Sequence, residues 1–517
     1  MPSRDAGNDS AIPRSQVTEP ELFFGIVGPM GLGGSVISSA LEKGLLAVKY
    51  ESEVVHVIEL LHNFKRWQEM PETPAEERYW KHIEAGNELC DLMGRGDALA
   101  ILTLGEIRKR RKQKTGDSLV PAPRCAYILR SLKRPDEVET LRSIYGPVFF
   151  LIAAYLPRNK RVDNLEKTLN KSRGTAQSGV LRAEAEELVA TDEEERDKRY
   201  GQDVRKIFSQ ADVFVDASDT RKLEEQLQRF IKILFGDPAF TPTKDEYAMA
   251  HARIAALRSA DLSRQVGAAI SSPDGTVVSL GTNEVPKSGG GQYWEGDDPD
   301  GRREKPTSFE MRRDVLGDAL CRLSEMGWLV KSKAERASTD LMGLTDEALS
   351  GRMRNARVMN AIEFGRIIHA EMAALSDALR LGVSVKGCTL YSTTFPCHGC
   401  APHIVGAGIK KVVYIHPYPK SLAQQLFHDS IAVDSAAVEG DRIPFVPFVG
   451  ISPDRYFEFF NRPTSGMKTV DGPRIAGYPE TYMVAELKEL RRLEGQINTT
   501  EVLHRKNLDR RRKRRNR

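Results

Sequence analysis

A chain of 517 residues is too long for one ordinary hydrophobic core, so two or three domains are expected. Hydrophobic residues make up 40% of the chain and charged residues 29%, which is typical of a soluble globular protein. The 76 basic side chains nearly balance the 72 acidic ones, and this excludes a protein whose whole surface binds nucleic acid. The apolar run Val148–Leu156 is about half of the ~20 residues that a membrane span needs, so no membrane partner is expected.

The N-terminal residues and the cysteines indicate the compartment. Residues 1–20 are polar and lack the apolar core of a signal peptide, which predicts a disordered leader. Six cysteines are too few for a disulfide framework in so long a chain. We therefore expect reduced thiols and a cytoplasmic protein.

Residues 21–236 alternate short apolar runs with amphipathic stretches. Buried strands separated by helices predict a parallel, doubly wound α/β sheet. The charged segment Asn164–Arg199 interrupts this alternation and predicts a mobile helical insertion or lid. The predicted strands are Phe23–Val27, Leu45–Val48, Cys125–Leu129, Val148–Leu156 and Val213–Val215, and the predicted helices include Glu53–Trp67, Asp136–Tyr145 and Lys222–Phe235.

A glycine-rich loop follows the first predicted strand. Its glycines Gly28 and Gly33, with Ser35, fit the P-loop pattern Gly-x-x-x-x-Gly-Lys-Ser, but Gly34 stands where the lysine belongs. The backbone N–H groups could still bind phosphate, and Ser35 could meet a metal. We expect nucleotide binding without kinase chemistry, because the cation that phosphoryl transfer requires is missing. The alternative is a turn that serves only packing.

The proline-rich stretch Gly236–Thr243 predicts the boundary to a second domain, residues 244–460. Residues 284–368 form a long polar insertion with some helical spacing, and residues 461–517 form a C-terminal extension with a basic end. The predicted strands are Val266–Ile270, Thr276–Leu280, Cys388–Ser392 and Lys411–Ile415, and the predicted helices are Asp245–Ala260, His369–Leu381 and one that begins near Cys397.

Two short motifs in this domain predict a metal centre. Cys397 and Cys400 at a helix start can place two thiolates on one metal, and His369 can complete a three-ligand set. Catalytic zinc sites keep the fourth position for water, and Glu371 lies two residues after the histidine, as in nucleobase deaminases. We expect Zn²⁺ as cofactor and Glu371 as the residue that moves protons.

A Cys-x-x-Cys pair has other interpretations. It could be a redox pair, which would need no His-Ala-Glu motif. It could also belong to a structural zinc site, to which His398 or His403 would supply the fourth ligand. A third alternative is a vestigial site in a regulatory nucleotide-binding module, although the four residues of the metal centre are all present.

Residues 245 to about 430 resemble the zinc-dependent deoxycytidylate deaminases. The matching segments are Ser263–Ile270, Gly281–Asn283, His369–Glu371 and Tyr391–Cys400. The resemblance implies a cytidine-deaminase-like α/β/α fold, dCMP or dCTP as substrate, and a contact from Asn283 to the sugar. Zinc would lower the pKa of water toward ~7, and Glu371 would carry the proton to N3 of cytosine and then to the departing amine.

The first half adds a second resemblance. Ala126–Val138 is similar to nucleotide-kinase folds, and a degenerate kinase-like domain before a deoxycytidylate deaminase resembles the two-domain bacterial anti-phage dCTP/dCMP deaminases. The segments Tyr293–Asp300 and Val413–Ser421 also resemble that family, with Lys420 as phosphate partner. The resemblance implies a defence enzyme that depletes cytosine deoxynucleotides, with the N-terminal domain as sensor or restraint.

An RNA- or DNA-editing deaminase is the competing function, because the metal motif alone does not separate the two. The basic run Arg510–Arg517 predicts a disordered arm, either without function or in contact with a regulatory RNA. The expected partners are therefore deoxycytidine nucleotides, a nucleotide at the N-terminal domain, a regulatory RNA and further copies of the chain in a homo-oligomer.

Overall fold

The structure is a computed structural model of the chain. It describes residues 19–174, 179–297, 307–351, 365–418, 421–434 and 441–461, with residues 353, 356, 359, 486, 489 and 490. The expected leader, apart from its last two residues, and the basic arm lie outside the described residues. The chain divides into two compact units, one with residues up to Thr241 and from Val449, the other Pro242–Phe448. Among the described residues, no helix combines the length and the apolar character needed to cross a membrane.

The first unit contains a parallel sheet. All six residues of its central strand are buried, as expected where helices cover both faces of a sheet. Its strands are β1 (Leu22–Val27), β2 (Glu51–His56), β3 (Cys125–Arg130), β4 (Phe149–Tyr155) and β5 (Val213–Asp216). They pair in parallel in the order β2-β3-β1-β4-β5, which confirms the predicted parallel α/β architecture. The helices are α1 (Gly34–Ala47), α2 (Ala75–Met93), α3 (Ala98–Thr115), α4 (Pro135–Tyr145), α5 (Arg158–Arg173), α6 (Arg182–Glu193), α7 (Val204–Phe208) and α8 (Thr220–Leu234).

Two predictions around β2 are wrong. The predicted strand Leu45–Val48 lies at the end of α1, where Leu41 and Leu45 are buried on one helical face. The predicted helix Glu53–Trp67 begins inside β2. Because β2 is the edge strand, it tolerates charged residues whose spacing suggested a helix.

The charged segment predicted as an insertion is helical, as expected. It holds most of α5 and all of α6. Leu165 and Leu169 of α5 pack with Leu188 and Val189 of α6 in a buried cluster. The apolar face of this helix pair is therefore buried within the first unit.

The second unit contains a mixed sheet between helices. Its strands are β6 (Gly267–Ser271), β7 (Val277–Thr282), β8 (Thr389–Thr394), β9 (Lys411–His416), β10 (Ile431–Val433) and β11 (Ile443–Pro447). The order is β10-β11-β9-β8-β6-β7; β6 is antiparallel to β7 and β8, and the other pairs are parallel. The helices are α9 (Lys244–Leu257), α10 (Thr307–Glu325), α11 (Lys331–Thr339), α12 (Leu341–Ser350), α13 (Ala370–Arg380), α14 (Ala401–Gly406) and α15 (Ala423–Leu426), of which α10–α12 lie in the predicted insertion.

Two glycines allow helices to lie directly against this sheet. A Cβ on Gly267 would stand 1.9 Å from the carbonyl oxygen of Ala252 in α9. A Cβ on Gly281 would stand 2.1 Å from the carbonyl oxygen of Ala370 in α13. Both distances are far below van der Waals contact, so the glycines fix the depth at which α9 and α13 pack.

The chain then returns to the first sheet. β12 (Gly450–Ile451) pairs antiparallel with β5, and α16 (Tyr456–Phe460) follows it. Phe459 packs against the rings of Phe150 and Phe230, and Arg455 pairs with the buried Asp212. The second unit therefore ends at Phe448, before the boundary at 460 that the sequence suggested.

Candidate metal centre

Three side chains of the second unit converge as potential metal ligands. Nδ1 of His369 lies 3.1 Å from Sγ of Cys397 and 3.4 Å from Sγ of Cys400. The two sulfur atoms are 3.7 Å apart. Both cysteines are buried, whereas His369 is partly exposed, so the cluster reaches solvent on the histidine side.

Two helix starts hold these side chains. His369 is the N-terminal cap of α13, and Cys400 is the N-terminal cap of α14. Cys397 precedes Cys400 by one turn, in which the carbonyl of Cys397 accepts hydrogen bonds from the N–H groups of Cys400 and Ala401. The predicted helix near Cys397 therefore begins at Ala401. Helix N-termini favour the negative charge that metal-binding thiolates carry.

The donor set fits zinc. Zinc–sulfur bonds of about 2.3 Å in a tetrahedral site place two sulfur atoms about 3.8 Å apart. The observed separation of 3.7 Å between the two sulfurs meets this requirement without rearrangement. Within the part of the chain that the structure describes, neither His398 nor His403 joins the cluster. Three ligands leave a fourth position open, which is typical of catalytic rather than structural zinc sites.

The electrostatics of the cluster also suit a metal. The hydrogen bond with Cys400, together with the imidazole of His369, lowers the pKa of the Cys397 thiol. The hydrogen bond with Cys397 raises the pKa of His369 to about 9. The two shifts favour a thiolate on Cys397 and a proton on His369. Zinc binds thiolate and neutral imidazole, so a bound ion would replace that proton.

Glu371 lies beside the cluster but outside the ligand set. It is buried in the first turn of α13, and burial raises the pKa of its carboxyl group. Its Oε1 accepts a hydrogen bond of 3.2 Å from the hydroxyl of Ser392, and its Oε2 lies 3.5 Å from Sγ of Cys400. A buried carboxyl group with a raised pKa holds its proton more tightly than a free one, which suits proton transfer to a substrate.

Asn283 is held by its own domain. Its Nδ2 donates to Oδ2 of Asp261 and to the carbonyl of Arg264, and its Oδ1 accepts from the N–H of Val266. The charge of Asp261 also contributes to the raised pKa of His369. Asn283 therefore fixes the loop before β6, and only one lone pair of its Oδ1 is left for a further donor.

The other predicted site residues are Lys420 and four residues of the glycine-rich loop. Lys420 is outside the described residues. In the first unit, Gly28 and Gly33 lie between β1 and α1, and Gly34 and Ser35 begin α1; none of the four belongs to the metal centre.

Sequence reasoning did not identify Ser392 as part of this centre. Ser392 lies within the motif Tyr391–Cys400, but the motif gives no role for its hydroxyl group. The feature that could have indicated a role for Ser392 is its position as a polar residue in a strand whose other residues are almost all buried. A fully buried hydroxyl requires a partner, and here the partner is Glu371.

Comparisons with known proteins identify the same region. The family model described as the cytidine and deoxycytidylate deaminase zinc-binding region matches residues 242–416. The deoxycytidylate deaminase of Enterobacteria phage T2 is 48% identical over 54 residues, which cover 10% of this chain and 29% of the phage protein. The human deoxycytidylate deaminase is 26% identical over 170 residues, covering 33% of this chain and 63% of the human protein. The chain thus spans less than two thirds of these relatives.

A solved structure also matches at low similarity. The dCMP deaminase from the cyanophage S-TIM5 in apo form is 18% identical, with a TM-score of 0.21, and the match covers 40% of this chain and 100% of that chain. This score is too low to add to the sequence match. Residues 242–416 are thus similar to the zinc-binding region of the cytidine and deoxycytidylate deaminases, and the three side chains that could hold a metal ion lie within them.

Proposed function

We propose that the second unit hydrolytically deaminates a cytosine deoxynucleotide, dCMP or dCTP, to the corresponding uracil nucleotide with the help of zinc. The observation that carries this proposal is the position of Glu371. Its carboxyl group is buried 3.5 Å from one cysteine of the cluster, yet it is not one of the three ligands. A proton carrier beside an open metal position is the arrangement that hydrolytic deamination requires.

The chain's own residues divide the chemistry between them. His369, Cys397 and Cys400 would hold zinc, which supplies a Lewis acid that lowers the pKa of water. Glu371 would take the proton of the attacking water through Oε2 and deliver it to N3 of the cytosine. It would then take the remaining hydroxyl proton at C4 and pass it to the amine, and the C4–N bond breaks to release ammonia, so the one carboxyl group acts as base and as acid in turn. Ser392 holds the opposite oxygen of this carboxyl group and orients it.

The names of the relatives support a nucleotide as substrate, since they are deoxycytidylate deaminases. Asn283 would contact the sugar by accepting a hydroxyl hydrogen on Oδ1, because both of its N–H hydrogens are donated within the domain. Lys420 is proposed to bind the phosphate. A free nucleotide is preferred over a nucleic acid because the net charge of the chain is only +4.

Replacing Glu371 tests this function. In purified Glu371→Ala protein, ammonia release should fall by about 10²–10⁴-fold, which is the usual contribution of general acid–base catalysis. Zinc content should remain at the wild-type value, because a proton carrier is removed and not a ligand. Cys397→Ala is the matched variant that should lose both zinc and turnover.

The substrate comparison uses dCMP, dCTP and single-stranded DNA side by side with the wild-type protein. Turnover of dCMP or dCTP that depends on Glu371 supports the proposal. Wild-type turnover that is restricted to single-stranded DNA would establish the editing alternative, and unchanged dCMP or dCTP turnover in Glu371→Ala would refute the role of this carboxyl group.

We further propose that the reaction depletes cytosine deoxynucleotides in the bacterial cytoplasm during phage infection. The support is the resemblance of the two-domain chain to the anti-phage deaminases. Expression of the wild-type chain should reduce phage plating, and Glu371→Ala at equal abundance should not. Equal protection by both proteins would show that defence does not use the metal centre.

We also propose partners for the first unit and for the basic arm. The first unit would restrain or trigger the deaminase, and the arm Arg510–Arg517 would bind a regulatory RNA through phosphate contacts. We also propose that the chain assembles into a homo-oligomer.

A further inference from the structure

The first unit contains a cavity at the carboxyl ends of two strands of its sheet. Its volume is about 410 Å³, within the range of small-molecule sites. Leu32 and Val36 line one side, Lys160 and Lys167 of α5 line another, and Ser218 follows β5. In open parallel sheets, ligands bind outside the carboxyl ends of the strands.

The glycine-rich loop borders this cavity. Leu32, within the loop, and Val36, in the first turn of α1, line the cavity wall. Gly33 is the N-terminal cap of α1, with a left-handed φ of 76°, and no side chain caps this helix. Of the first turn, the N–H of Val36 donates to the carbonyl of Gly33 at 3.1 Å. The first N–H groups of a helix have no partner within the helix and lie at the positive end of its dipole, as in phosphate sites.

Arg130 supplies a cation where the sequence lacked one. It ends β3, and its Nη2 lies 3.1 Å from the position that a Cβ on Gly34 would occupy. Its Nη1 lies 3.1 Å from Nε2 of His56. Its Nε is buried and has no hydrogen-bond partner among the described residues. The guanidinium group thus lies where the P-loop lysine would begin, with one donor still to be satisfied.

The loop is also held in place without a ligand. The N–H of Met30 donates to Oδ2 of Asp192, with a distance of 2.7 Å. Lys133 Nζ donates to the carbonyl of Gly28 at 3.0 Å and to Oδ1 of Asp192 at 2.7 Å. These bonds engage the first half of the loop. The second half, from Gly33 onward, remains available to an anion.

The carboxylates at this site are already paired with cations. Asp192 pairs with Lys133, and Asp163, which lines the cavity, pairs with Arg182 at 2.9 Å. Mg²⁺ at phosphate sites usually needs one or two free carboxylates in addition to the phosphates. The surroundings therefore favour the phosphate itself and disfavour a divalent cation beside it.

We propose that this cavity binds a nucleoside phosphate without a divalent cation, and that Arg130 supplies the positive charge that Gly34 cannot. The phosphates contact the start of α1 and the guanidinium group, and the nucleoside enters the cavity. Binding without Mg²⁺ is consistent with a sensing role for this unit and not with phosphoryl transfer, which relies on the metal.

Moving the positive charge from position 130 to position 34 tests the proposal. Binding of ATP, GTP and dCTP to the full-length protein is measured by calorimetry, first without added divalent cations and then with excess MgCl₂. At least one nucleotide should bind without Mg²⁺. Arg130→Gln should weaken that binding by about tenfold or more, as expected when a charged phosphate contact is lost. Arg130→Gln combined with Gly34→Lys should restore it, because the lysine returns the charge to the loop.

Lys109→Gln is the matched control, since it removes one positive charge from an exposed position on α3. Its nucleotide affinity should equal that of the wild type. The proposal is refuted if none of the three nucleotides binds, if binding requires Mg²⁺, or if Arg130→Gln binds as tightly as the wild type. Restoration by the double variant also shows that the effect of Arg130→Gln is a loss of charge and not of folding.

Discussion

At the scale of single residues, the two oxygens of Glu371 have different surroundings. Oε1 accepts the hydroxyl hydrogen of Ser392, whereas Oε2 faces the cysteine cluster. A hydrogen bond to one oxygen fixes the orientation of a carboxylate and leaves the other oxygen for chemistry. Ser392 is thus a positioning residue, because it acts through Glu371.

Ser392→Ala should therefore change the pH profile of the reaction. Burial raises the pKa of Glu371, and the bond from Ser392 opposes this rise. Without that bond, the pKa of Glu371 rises further. Because the ionised carboxylate must accept the first proton, the acidic limb of the kcat profile should shift to higher pH. Turnover measured across pH values checks this shift.

Thr394→Val is the matched control for Ser392→Ala. Thr394 lies two residues further along β8, and its buried hydroxyl has no partner within the described residues. Its loss should leave the acidic limb unchanged. A pH profile of Ser392→Ala identical to that of the wild type would contradict the positioning role.

At the scale of elements, the position of α13 decides where His369 and Glu371 lie. The helix packs against β7 at Gly281, where a Cβ would collide with the backbone of Ala370. Gly281 belongs to the segment Gly281–Asn283, which resembles the deoxycytidylate deaminases. The close packing of α13 explains why a glycine stands at this position. The backbone of a helix cannot move aside as a flexible side chain can.

Gly281→Ala should displace α13 and disturb the metal centre. Overpacking of this kind usually costs about 1–3 kcal/mol of unfolding free energy. We expect that loss in denaturant unfolding, together with a lower kcat, because Ala370 adjoins His369 and Glu371. Gly406→Ala in α14 is the control, since a Cβ there meets no atom within 4 Å. Equal stability of both variants would show that α13 adapts to the added methyl group.

The helix predictions succeeded where hydrophobic spacing and burial agreed, as in α8 and α13. They failed around β2, because an edge strand with Glu51 and Glu53 carries the polar character of a helix surface. Local sequence does not reveal whether a strand lies at the edge or in the centre. The sheet order decides that.

At the scale of the whole molecule, the metal centre belongs to one compact unit and the glycine-rich loop to the other. A ligand that binds only the folded state stabilises the unit that contains its site. In a chain of two units, each can unfold in its own transition.

Metal removal should therefore act on one unit only. A zinc chelator should lower the melting temperature of the second unit and leave that of the first unchanged, as followed by hydrogen exchange of peptides from each unit during heating. Cys397→Ala protein should already melt at the lower temperature and should not respond to the chelator. A shift of both units, or of neither, would contradict this assignment.

The sequence by itself predicted the three side chains that converge as candidate metal ligands, and the alternation of strands and helices. His369, Glu371, Cys397 and Cys400 could be identified because each motif is local and a metal ion requires this donor chemistry. The runs of apolar residues were likewise enough to predict β1, β3 and β4, which are buried because they lie in the centre of the sheet.

Only the tertiary structure decided which distant residues complete these sites. It placed Arg130 over Gly34, the hydroxyl of Ser392 on Glu371, and Asn283 in bonds to its own domain. It also returned residues 450–460 to the first sheet. These contacts join positions from 17 to more than two hundred residues apart, and no local pattern encodes a partner at such separations.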